Sequence, residues 1–115
     1  MLHDFGSGTD GFYPGNGGLV FDAAGNLYGT TTSGGSFSHS GGTVFEMTPT
    51  AGGVWTESLL HSFGSGTDGN DPANSLVFDT LGNLYGTTNH GGTGLCTEES
   101  GGPVVGCGTV FEITP

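Results

Sequence analysis

The chemistry-bearing side chains of this 115-residue sequence are two cysteines, four histidines and 11 carboxylates, with no lysine or arginine to balance them. Cys96 and Cys107 lie in a loop expansion that has no counterpart cysteines elsewhere in the chain. A pair that arises with an insertion suits a disulfide stapling that loop, worth about 2–3 kcal/mol on the chain-entropy model, and an oxidising compartment. Reduced thiols are one alternative. Zinc ligation is another, and it needs His90 and a further group to complete the ligand set.

Asp68, Asn70 and Asp71 crowd oxygen donors into one glycine-rich turn. Ca²⁺ takes such ligands, although the spacing matches no EF-hand loop. The plainer account is a solvated turn in which Asp braces the local backbone. His39, His90, Glu98 and Glu99 fall in the connections that follow the second strand of each repeat described below. Loops on a rigid scaffold are where binding residues concentrate. These four residues are therefore the candidate ligand-binding set, for a glycan or for Ca²⁺, against the alternative of a solvated rim. A carboxylate pair for glycan hydrolysis or elimination would also have to come from this face. No catalytic residue is assigned, and no cofactor is required. Gly6 to Gly11 and Gly64 to Gly69 each spell G-x-G-x-x-G. A dinucleotide loop needs a helix after the glycines, whereas here Pro14 or Pro72 and another strand follow.

The net charge of −11 removes whole function classes. Nothing can track nucleic acid, fork a phosphate or form a Schiff base. An anionic membrane would repel the chain, and no segment is long and apolar enough to insert in one.

The elements that must position these residues come from an internal duplication. Leu2-His3-Asp4-Phe5-Gly6-Ser7-Gly8-Thr9-Asp10-Gly11 recurs from Leu60 to Gly69. The block from Leu19 to Thr31 recurs from Leu76 to Thr88, and Gly42 to Pro49 recurs from Gly108 to Pro115. The order is kept, which is tandem repetition. The division is 1–57, a spare outer strand plus the first unit, and 58–115, the outer strand of the first unit plus an incomplete second one. Each unit reads as four short strands, in the first at Leu19–Asp22, Leu27–Thr31, Thr43–Thr48 and Val54–Phe63. Gly25-Asn26 makes the first hairpin because both residues tolerate positive φ. The fourth strand alternates, with Trp55, Glu57, Leu59, His61 and Phe63 on one face. No helical period is sustained. The expected fold is all-β: two four-stranded antiparallel meanders, as two β-propeller blades completed by oligomerisation. Because the units start and stop out of phase, the N-terminal strand is expected to pair with the open edge of a neighbour. Three or four chains would close a ring.

Gly18 to Thr31, followed by Gly41 to Pro49 and the link Ser62 to Gly69, resembles the GloVer-type glycine-rich tandem repeats of bacterial surface proteins. The resemblance implies a non-catalytic structural or interaction module, extracellular or on the cell surface, exported by a signal absent from this chain. It carries over no catalytic residue.

Overall fold

The computed structural model describes residues 1–14, 17–35, 41–64, 68–72, 75–97 and 103–114. It is all-β, and among the described residues the one helical feature is a 3₁₀ turn at Ala51–Gly53. The first repeat forms an antiparallel sheet of β1 (Val20–Phe21), β2 (Leu27–Thr31), β3 (Thr43–Pro49) and β4 (Trp55–Ser62), in that spatial order. The second repeat forms β5 (Asn70–Pro72), β6 (Val77–Phe78), β7 (Leu84–His90) and β10 (Thr109–Ile113), with β5, β6 and β10 all pairing to β7. The loop expansion of the second repeat folds as a separate hairpin, β8 (Leu95–Thr97) with β9 (Pro103–Val105). The Cys96–Cys107 disulfide staples this hairpin, with Cα atoms 6.0 Å apart. Among the described residues no helix is long and apolar enough to cross a membrane.

The hairpin turns follow from one aspartate each. Asp22 Oδ1 accepts the backbone N–H groups of Ala24 and Asn26, both at 2.9 Å, and Asp79 does the same for Leu81 and Asn83. Gly25 takes a left-handed φ of +90°, as Gly82 does at +87°. Asn26 does not, and its side chain donates to Asp22 Oδ2 at 2.9 Å. A second device ties β2 to β3. Thr31 Oγ1 donates to Ser33 O and accepts from Thr43 N, while the Thr31 and Thr43 hydroxyls lie 2.8 Å apart. Because the Thr31 proton is already committed, the Thr43 hydroxyl supplies the one between them. Thr88 and Thr109 repeat the arrangement on β7 and β10.

The two faces of each sheet differ. Leu27, Phe45 and Met47 form a buried cluster on what we call the front of the first sheet, joined by Phe5, Trp55 and Leu59. Tyr28 and Val44 point to the back, where they pack with Leu76 and Leu84 from the front of the second sheet. The sheets therefore stack back to front, and this is the main core. Phe63 is fully buried in it.

That last position corrects the alternation expected for β4. The pairing slips between Val44 and Phe45, so that Phe45 faces Leu59 but Val44 faces His61, with Leu60 as the extra residue. A bulge reverses the parity of the residues beyond it. Trp55, Glu57 and Leu59 therefore face front, whereas His61 and Phe63 cross to the back and lie over the second sheet. The Phe63 ring meets Phe111 at a centroid distance of 5.1 Å. The N-terminal residues repeat this one sheet earlier. Residues 1–6 carry no strand, yet Phe5 lies on Phe45 at 5.0 Å.

The ring of Phe45 sits over Gly29 in β2. A Cβ at Gly29 would come within 2.7 Å of both Phe45 Cζ and Leu19 Cδ2. Gly86 stands in the same relation to Phe111 and Leu76. Gly29→Ala is expected to destabilise the fold by about 1–3 kcal/mol through this overpacking, measured by denaturant unfolding. Unchanged stability would show that the ring does not hold this place.

Candidate functional site

Among the described residues, the chemical candidates read from the sequence divide between two sets of partners. His39, Glu98 and Glu99 lie outside the described residues. His90, at the exposed end of β7, places Nδ1 3.5 Å from Asp71 Oδ2. The same Asp71 oxygen accepts Asn89 Nδ2 at 3.3 Å. Asp68 turns elsewhere, to His61 Nε2 at 2.8 Å and Gly64 N at 3.2 Å. Asn70 is held in β5 opposite His90. The carboxylates of Asp68 and Asp71 thus serve different partners. Asp71 also takes a left-handed φ of +57°, as its repeat equivalent Tyr13 does at +60°.

Two polar constellations that the sequence reading left out are built by the repeat. In the first, Tyr28 Oη lies 2.9 Å from Asp22 Oδ2 and 2.8 Å from Glu46 Oε2, so its single proton is shared between two carboxylates. Tyr85, Asp79 and Glu112 reproduce this geometry. Burial and the neighbouring Glu46 and Asp22 raise the Tyr28 pKa well above the ordinary phenol value. Glu112 and Asp79 do the same for Tyr85. A cleft of about 480 Å³ runs between the two hairpins, lined by Asp22, Tyr28, Phe78, Asp79, Leu81 and Asn83. Its aspartates are already committed to the turns, which makes them scaffold. The signal was available in the sequence, since Asp-x₃-Asn-x-Tyr and a later Glu recur in both repeats.

The second constellation joins three segments. His3 Nε2 lies 2.9 Å from Asp10 Oδ2 and 3.6 Å from Glu57 Oε2. Asp10 is buried, and its other oxygen accepts Gly6 N at 3.0 Å and Ser7 N at 2.9 Å. Desolvation works against ionisation of Asp10, but these hydrogen bonds and His3 outweigh it and lower its pKa. Glu57 goes the other way, raised by desolvation and by Asp10 against the pull of His3. The His61–Asp68 pair is the repeat equivalent.

The largest asymmetry lies on the sheet faces. At equivalent positions Val44 is 0% exposed and Val110 80%, while Leu76 is 0% and Leu19 58%. The back of the second sheet thus leaves Val77 and Val110 in water, beside a groove of about 350 Å³ lined by Tyr85 and Gly86. On the front of the first sheet, Leu2, Phe5, Pro14, Leu19, Phe45 and Met47 border an apolar cavity of about 230 Å³. Each surface has a repeat equivalent that packs in or against the main core, Val20, Tyr28 and Val44 for the one and Leu60, Phe63, Leu76, Phe111 and Ile113 for the other.

The hairpin aspartates set an acid limit. Asp22 is held at about 2, against an ordinary 3.8: burial opposes this, and the hydrogen bonds from Asn26, Tyr28 and Ala24 prevail. Asp79 falls to about 2 as well, chiefly through the Asn83 backbone and side chain. A carboxylate with a depressed folded pKa stabilises the fold fully above its unfolded value, and the contribution disappears as pH falls through the folded one. Wild-type stability should therefore drop between about pH 4 and pH 2. The double variant D22N/D79N should start lower at neutral pH and show a flatter acid limb in a series of thermal melts. An unchanged acid limb would contradict the assignment.

Comparison with curated proteins and with solved structures returns no match. The Gloeobacter/Verrucomicrobia repeat model does match, over residues 1–115. Its span coincides with the duplicated hairpins, the paired threonines and the stacked sheets, and the chain belongs to this repeat family.

Proposed function

We propose that this protein is a non-catalytic structural and interaction module, a self-assembling fragment of a β-propeller whose blades stack back to front. The observation that carries the reading is the pair of repeat-equivalent residues with opposite burial, Val44 against Val110 and Leu76 against Leu19. A valine and a leucine left in water each forgo roughly 1.5–3 kcal/mol of burial. A second copy offers the surface that fits. Its front, with Leu19 and Phe45, takes the place on the back of this chain's second sheet that Leu76 and Phe111 take on the back of the first. Such contacts are heterologous and close into a ring if the rotation allows. Three or four chains then give six or eight blades. In that ring the segment Leu2–Phe5 of a neighbour serves β10 as its equivalent Leu60–Phe63 serves β3. An extracellular or surface location fits the disulfide and the wholly anionic side-chain charge.

A second reading is a binder of carbohydrate or Ca²⁺ on the loop face. It is favoured by the approach of His90 to Asp71 at an exposed strand end. Glycan arrays and a chelator-dependent melting temperature test it directly.

For the main reading, light scattering should give a discrete mass of three or four chains. Val110→Asp should reduce that mass to one chain while leaving the far-ultraviolet spectrum intact. Val44→Asp should instead unfold the chain. A monomeric wild type at micromolar concentration, or a Val110→Asp variant that assembles normally, would overturn the proposal.

A further inference from the structure

We propose that His3, Asp10 and Glu57 form a binding site for a divalent cation of the zinc class, one that pins the N-terminal segment and the Asp10 loop to β4. The three donor atoms, His3 Nε2, Asp10 Oδ2 and Glu57 Oε2, lie within 4.8 Å of one another. Two of the edges measure 2.9 and 3.6 Å. Metal–ligand bonds of about 2.0–2.1 Å place tetrahedral ligands roughly 3.3 Å apart, so these edges bracket the required spacing. A cation at their centre needs the His–Asp edge to open by a few tenths of an ångström and the Asp10–Glu57 edge, which is within 4.8 Å, to settle near the same spacing. It would replace the proton that Nε2 now shares with Asp10.

Three further features point to an ion. Glu57 Oε2 is sealed from solvent and accepts no hydrogen bond among the described residues, although the Glu57 side chain is only 12% exposed. A buried carboxylate oxygen with no donor is costly, and the chain has no lysine or arginine to answer it. The Asp10 side chain is 9% exposed, and its second oxygen is held by two backbone N–H groups. This outer hydrogen bonding aims the first oxygen at His3, as in established metal sites. The His3 ring is fixed edge-on against Phe5 at 4.6 Å. One imidazole with two carboxylates suits zinc better than Ca²⁺, which takes oxygen ligands in larger number.

The second repeat supplies the control. His61 and Asp68 reproduce the pair at 2.8 Å, but no third carboxylate joins them among the described residues. A His–Asp pair alone offers two ligands and should not retain zinc.

The test is titration of the full metal-free chain with Zn²⁺, followed by calorimetry and thermal melting. One saturable equivalent is expected, with a raised melting temperature. His3→Gln and Glu57→Gln should each weaken binding more than about tenfold, whereas His61→Gln and His90→Gln should bind as wild type does. Without metal, Glu57→Gln should melt at or above wild type, because it removes a buried charge, which separates loss of the site from loss of the fold. X-ray absorption of the zinc-loaded wild type adds a readout independent of any variant. It should show one imidazole, oxygen ligands and no sulfur. Absence of saturable binding, binding that Glu57→Gln retains, or a zinc shell with two imidazoles or a thiolate would each overturn the proposal.

Discussion

A four-stranded sheet with apolar residues on both faces has no stable place in water by itself. The repeat makes both faces apolar, the front through Leu27, Phe45 and Met47 and the back through Val20, Tyr28 and Val44. Within the chain Phe5, Trp55 and Leu59 pack on the front of the first sheet, and the back of the first sheet meets the front of the second. Much else follows from that contact. The bulge at Leu60 carries Phe63 across to the second sheet, and Gly29 and Gly86 stay bare so that an aromatic ring can lie over β2 and β7. Repeat arrays meet the same constraint by adding neighbours until every inner face is covered.

The absence of lysine and arginine shapes the polar interior as strongly. Asp10, Asp22, Asp68 and Asp79 each turn inward to collect backbone N–H groups and a neutral or histidine donor. Charge that another protein would answer with salt bridges is answered here by turn geometry. This explains how so acidic a chain supports tight hairpins, and why Glu57, whose Oε2 finds no such donor among the described residues, stands apart.

The repeat made much of this legible in advance. β2 spans the residues read from the sequence, and β3 and β4 match to within a residue at either end, because apolar alternation between glycine turns defines them. The disulfide was visible as one of the alternatives for a cysteine pair confined to an insertion. The bulge was not visible, since nothing in Leu59-Leu60-His61 marks which residue is extra, and so the side taken by His61 and Phe63 was misread. The His3–Asp10–Glu57 group was invisible for a different reason. Its members are close only after the N-terminal segment lies down on the first sheet, and sequence separation hides that. Asp68 and Asp71 show the converse, being neighbours in sequence that turn to different partners.

Equivalence of the two sheets in the assembled state is the central claim, and the valine methyl groups report it directly. Solvent paramagnetic relaxation of the Val44 and Val110 methyls, followed across a dilution series, separates the two positions. Val44 should be shielded throughout, whereas Val110 should be equally shielded at high concentration and become exposed as the protein is diluted. A Val110 methyl that remains open to the paramagnetic agent at every concentration would contradict the account.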